Sequence, residues 1–120
     1  MARQVLFVCS HGAGKSRMAA AFFNRVARAG WQATSAGQAP DPVVSAHVVR
    51  LLAGGDAEAL LDREPPRRSA TVPASAHTVA IDGDVPGAEC WALRQQQVGA
   101  AMRGEIRDRA EALAGEVARG

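Results

Sequence analysis

Val5-Leu6-Phe7-Val8-Cys9-Ser10-His11-Gly12-Ala13-Gly14-Lys15-Ser16-Arg17-Met18 decides how the rest of the chain is read. A run of β-formers ends at a cysteine, passes through a short loop holding two glycines, and restarts as a helix rich in alanine, with Ala19, Ala20 and Ala21. The order is strand, loop, helix N-terminus. In such a unit the loop's N–H groups and the positive end of the helix dipole converge on one point, an anion site that needs no side chain.

Cys9 stands at the lip of that site, where the same positive potential favours a thiolate and makes the sulfur nucleophilic. Lys15 places a charge on a bound anion, and the Ser16 hydroxyl is within chain reach of the sulfur. The implied chemistry is attack of sulfur on a tetrahedral oxyanion. The plainer alternative is a cysteine that ends a buried strand as a small hydrophobe.

Composition bounds the rest. With 120 residues, 48% hydrophobic and 22% charged, the chain fits one domain spanning residues 1–120. A net charge of +2 and the absence of tyrosine argue against nucleic acid as a partner. The first apolar run, Val5 to Cys9, is too short for a signal peptide or a membrane span, so a cytosolic protein without membrane association is expected, with its two cysteines reduced. Thirteen arginines accompany a single lysine, Lys15, at the loop. An ammonium there gives a point charge where a guanidinium gives a bidentate fork.

Along the chain, the apolar spacing predicts a first helix over 17–29 stopped by Gly30, a strand over 31–35, and a loop from Ala36 to Pro42. A second helix is expected from Val43 to Ala53, started by Asp41-Pro42, with His47 on its solvated side. Residues 56–61 read as a short helix capped by Asp56, and 63–68 as a basic surface loop. His77 to Ile81 is the second buried strand, followed by the turn Asp82-Gly83-Asp84-Val85-Pro86-Gly87. Asp82 and Asp84 either face Cys9 across the cleft at the strand ends or bond their own turn. A last helix is expected over 95–118, with Val98, Met102, Ile106, Ala110, Leu113 and Val117 as its apolar stripe. Alternating strands and helices give a small parallel α/β sandwich.

These residues resemble the superfamily of low-molecular-weight protein tyrosine phosphatases and the arsenate reductases built on the same fold. The shared opening is an apolar strand, a cysteine, five loop residues, a cationic residue, serine and Met-Ala, here Cys9 to Ser16 with Met18-Ala19. His11, Ala13 and Gly14 are especially like bacterial arsenate reductases. Phe22-Phe23-Asn24, Ser35-Ala36-Gly37 with Pro40, Trp91-Ala92-Leu93 and Glu105-Ile106-Arg107 match as well.

The resemblance implies a three-layer α/β sandwich with a four-stranded parallel sheet flanked by helices. It also implies a phosphate or arsenate ion held by Ser10, His11, Gly12, Ala13, Gly14 and Lys15, with Cys9 as nucleophile. Three departures stand out. The family's loop arginine is Lys15, its loop asparagine is Gly12, and the Asp-Pro that supplies the proton-donating acid after Trp91-Ala92-Leu93 is replaced by Arg94-Gln95-Gln96. Asp82 or Asp84 would be the substitute proton donor. Cys90 is either a resolving thiol or inert, and without it the reductase chemistry relies on a small thiol or a redoxin. No bound cofactor or metal is implied.

The expectation is therefore a cysteine-thiolate oxyanion enzyme, an arsenate reductase or a phosphomonoester phosphatase acting on a phosphorylated substrate. A catalytically silent phosphate-binding module is the alternative. Gly14-Lys15-Ser16 also spells part of a nucleotide-binding P-loop, with Thr78 to Asp82 as the strand of a magnesium-binding aspartate.

Overall fold

A computed structural model describes residues 3–68 and 76–119. Its elements are β1 (Arg3–Cys9), α1 (Lys15–Val26), β2 (Trp31–Gly37), α2 (Ala46–Leu52), a single 3-10 turn (Glu58–Leu60), β3 (His77–Ile81), β4 (Glu89–Trp91) and α3 (Ala100–Arg119). The four strands form one parallel sheet in the order β2-β1-β3-β4. β1 is central and buried from Val5 to Cys9, which is why it reads as a continuous apolar run.

Alternate residues of β1 serve opposite faces. Val5, Phe7 and Cys9 join the main core with the apolar sides of α1, α2 and α3, while Leu6 and Val8 pack with Ala36 and Val85 on the other face. Phe7 is fully buried, with its ring 6.1 Å from Phe23 and 5.4 Å from Trp91. A side chain of that size buried from water contributes roughly 1.5–3 kcal/mol. α1 is pinned to β2 by Asn24, whose amide donates to the Ala33 carbonyl at 3.0 Å and accepts the Ala33 N–H at 2.8 Å.

Several boundaries differ from the sequence reading. α1 begins at Lys15, because Gly14 takes the cap position, and it ends at Val26, because Ala27 is extended. β2 continues to Gly37, in register with Cys9. α2 begins only at Ala46, since Ser45 is extended and its N–H is taken by the Ala13 carbonyl. Residues 58–60 make a 3-10 turn with Ala57 before it; Asp56 caps nothing and pairs with Arg25 at 2.9 Å.

α3 starts at Ala100, five residues later than its stripe suggested. The N–H groups of Arg94 and Gln95 are bound by the Glu105 carboxylate, which holds 94–99 as a loop. Val98 therefore belongs to that loop. The basic stretch 63–68 is not merely solvated: Arg67 donates to the Ser35 carbonyl and to Asp62, each at 2.7 Å. Among the described residues no helix is long and apolar enough to cross a membrane.

Candidate active site

The loop between β1 and α1 is shaped by what holds its carbonyls. Cys9 O accepts from the Gln38 amide (3.1 Å), Ser10 O from Ala39 (2.7 Å), His11 O from Asp41 (3.0 Å), Ala13 O from Ser45 (2.9 Å) and Gly14 O from Met18 (3.0 Å). Gly12 O accepts from a side chain, the Nε of Arg17, at 2.9 Å. In a planar trans peptide the C=O and the following N–H point in opposite directions. Pulling these carbonyls outward therefore turns the N–H groups of residues 10 to 15 towards the inside of the loop.

Cys9 opens this loop, and one of those amides reaches its sulfur. Its Sγ accepts the Gly12 N–H at 3.3 Å and lies 3.1 Å from the buried Ser16 hydroxyl. Ser16 in turn lies 3.4 Å from the Ala36 carbonyl. Two glycines let the loop close this tightly. Gly12 has φ +66°, a conformation costly for other residues, and its backbone packs directly on that of Gly37.

The loop floors a cavity of about 350 Å³. Cys9, Ser10, His11, Ala13, Gly14 and Lys15 line its base; Met18, Val48, Ile81, Val98 and Met102 make an apolar wall; Asp41, Ser45 and Asp82 complete it. The structure thus brings Cys9, Lys15, the loop residues and Asp82 together, and Ser16 supports the sulfur from behind. Gly12 serves the cavity from beneath its surface.

Lys15 is engaged. Its ammonium is 2.8 Å from the Asp82 carboxylate, whose other oxygen accepts the Leu93 N–H at 2.8 Å. Burial alone raises Asp82, but the Lys15 hydrogen bond, the Leu93 amide, the Lys15 charge and Gln96 outweigh it, so the carboxyl is held below its ordinary range. The Lys15 and Leu93 contacts thus favour the carboxylate form of Asp82. Asp82 also takes φ 52°, a left-handed turn position that aspartate tolerates.

Asp84 does not line the cavity; it is exposed, and its carbonyl accepts from the Gln38 side chain at 3.2 Å. Cys90 is exposed on β4, in register with Ala80 and, through it, with Val8. Two strand spacings separate β4 from β1, about 10 Å. A disulfide needs Cα atoms within about 7 Å, so Cys90 does not reach Cys9 in this arrangement.

Two further residues emerge. Asp41 borders the cavity, its carboxylate 3.4 Å from His11 Nδ1, and its Asp-Pro dipeptide was the sequence signal. Arg17 lies beneath the loop at 1% exposure, paired with Asp62 at 3.6 Å. Burial draws its guanidinium below the ordinary arginine value; the charge of Asp62 opposes this, Arg67 reinforces it, and the charges of Cys9 and Glu64 also oppose it. A cation next to a serine on a helix reads as solvent-facing, and nothing local announced Asp62, 45 positions on. Among the described residues no three His, Cys, Asp or Glu side chains gather as a metal site.

No protein-family model and no curated protein matches the sequence. Among solved structures, the chain is similar to an arsenate reductase from Archaeoglobus fulgidus DSM 4304, with 29% identity and a TM-score of 0.75 over 92% of this chain and 98% of that one. It is also similar to an arsenate reductase in its phosphate-binding state (17%, TM-score 0.76, 96% and 98% covered). A third is a low-molecular-weight protein tyrosine phosphatase from T. tengcongensis (17%, TM-score 0.65, 98% and 99% covered). At 17% identity the last two speak for the fold alone. The cysteine loop, the parallel sheet and the Archaeoglobus likeness taken together support a resemblance, at low identity, to the arsenate reductases, on a fold that the low-molecular-weight protein tyrosine phosphatases share.

Proposed function

We propose that this chain is a Cys9-dependent oxyanion enzyme, and that arsenate, reduced with the help of an external thiol, is the substrate its site fits best. The observation that carries the reading is the ring of outward-held carbonyls, which leaves the amides of residues 10 to 15 facing the inside of the loop, with that of Gly12 donating to Cys9 Sγ. Preorganised N–H groups around a nucleophile stabilise the charge that builds on oxyanion oxygens during attack.

The choice of arsenate follows from the protons. Dihydrogen arsenate carries two of its own: the thiolate forms an S–As bond and water leaves, with no enzyme acid required. An external thiolate then attacks Cys9 Sγ, forming a disulfide, and the S–As electron pair departs with arsenic as arsenite. A second thiol or a redoxin returns Cys9 to the reduced state. A phosphomonoester dianion has no proton to give its departing oxygen, and here Asp82 is held as a carboxylate while Arg94-Gln95-Gln96 offers no acid.

One observation favours a second reading. The apolar wall of Met18, Val48, Ile81, Val98 and Met102 leaves room for an organic group, which suits phosphomonoesters whose alcohol departs unaided. The test is arsenite formation from arsenate with a small thiol and a redoxin system, run with Cys9→Ser alongside. Thiol-dependent arsenite production, lost in Cys9→Ser and inhibited by phosphate, is expected. Hydrolysis of an activated aryl phosphate without arsenite would favour the second reading, and phosphate binding with neither activity would leave a silent oxyanion module.

A further inference from the structure

The charges around the loop do not balance where the sequence places its cation. Lys15 and Asp82 neutralise each other at the rim. Beneath the loop, Arg17 and Arg67 share the single carboxylate of Asp62, with Glu64 exposed at the edge of this cluster. The surplus positive charge of the site therefore lies under the anion loop. Arg17 is buried to 1%, and its Nη2 has no hydrogen-bond partner among the described residues. A buried guanidinium with an unpaired N–H is costly unless some other group completes it.

Arg17 also sets geometry. Its Nε holds Gly12 O at 2.9 Å, and Gly12 brings no side chain to do this itself. Through the planar peptide, that contact fixes the direction of the Ala13 N–H. Among the described residues, every other loop carbonyl is held by a backbone amide, so this is the clamp that also carries charge.

We propose that Arg17 is the positioning residue of the oxyanion site: it fixes the Gly12–Ala13 peptide and supplies, from below, the positive field that Lys15 gives up to Asp82. Asp62 attenuates that field. The inference rests on the oxyanion reading of the loop. It predicts opposite signs for two variants that both remove buried contacts, whereas a purely structural role predicts the same sign.

The experiment measures inorganic phosphate affinity by calorimetry, and vanadate protection of Cys9 against iodoacetamide, on the full chain, with the melting temperature recorded beside each. Arg17→Met is expected to weaken phosphate about tenfold or more, as loss of a charge-assisted hydrogen bond does. Arg17→Lys, which keeps the charge but loses the fork, should fall between Arg17→Met and the unaltered chain. Asp62→Asn should lower the melting temperature yet tighten phosphate about threefold, as removal of one partly screened negative charge does. If Arg17→Met does not fold, Arg17→Lys and Asp62→Asn decide the matter.

Asp62→Asn weakening phosphate, or Arg17→Lys binding it as the unaltered chain does, would overturn the assignment while leaving the oxyanion reading in place. Failure of the unaltered chain to bind phosphate or vanadate would overturn both.

Discussion

Gly12 and Gly37 lie backbone against backbone: a Cβ on Gly37 would stand 2.6 Å from the Gly12 nitrogen, and one on Gly12 would stand 2.7 Å from the Gly37 nitrogen. The end of β2 is thus the surface against which the anion loop is moulded. Because the opposing atoms are backbone, nothing swings aside. Gly37→Ala is expected to cost about 1–3 kcal/mol of stability, the range for overpacking, and to weaken phosphate binding as the loop is pushed out of shape. Gly99→Ala, with open space around its Cβ position, is the control and should change neither. Urea unfolding and phosphate calorimetry on the two variants make the comparison.

The hydroxyl of Ser16 lies 3.1 Å from Cys9 Sγ. Ser16→Ala should slow iodoacetamide alkylation of Cys9 at neutral pH about tenfold, consistent with loss of a hydrogen bond to a charged group. Unfolding should show a loss of no more than about 1 kcal/mol. An unchanged alkylation rate would mean that the Gly12 amide and the loop field alone govern the sulfur.

The Lys15–Asp82 pair gives the acid limb of stability a definite sign. The folded carboxyl of Asp82 lies below its unfolded value of about 3.9. Its contribution is therefore whole above about pH 4 and is lost as pH falls through the folded value. Asp82→Asn should be less stable than the unaltered chain at pH 7, and the gap should close below about pH 4. A gap that stays constant down the acid range would show that Asp82 acts as a shape rather than as a charge. Chemical denaturation at stepped pH reads it out.

Cys90 is expected to be dispensable. It is exposed on β4 and two strands from Cys9, so Cys90→Ser should turn over arsenate at the unaltered rate when thiol is supplied. A loss of most activity under those conditions would place a rearranged β4 in the redox cycle.

The strands and helices that carry strong local signals were legible: β1 as an unbroken apolar run, β3 as its partner, α1 and most of α3 by spacing. β4 was not, because Glu89-Cys90-Trp91 is three residues of edge strand with one buried side chain. The early start assigned to α3 followed Val98, whose apolar character serves the cavity wall instead. Cys9, Lys15 and the glycine loop were readable because their chemistry is contiguous. The carbonyl clamps were not, since Gln38, Ala39, Asp41 and Ser45 lie some thirty positions away and act through backbone amides that every sequence has. Arg17 was hidden for a related reason: its partners Gly12 O and Asp62 exist only once the loop has folded over it.

On the proposed reading, the loop presents its amides to an oxyanion beside a nucleophilic Cys9. The most direct test is the rate of Cys9 alkylation by iodoacetamide, read by mass spectrometry at neutral pH with and without phosphate, arsenate or vanadate, using Cys90 in the same molecule as the internal reference. Each oxyanion is expected to protect Cys9 in a saturable way while leaving Cys90 unaffected. Equal alkylation of Cys9 with and without all three oxyanions would contradict it.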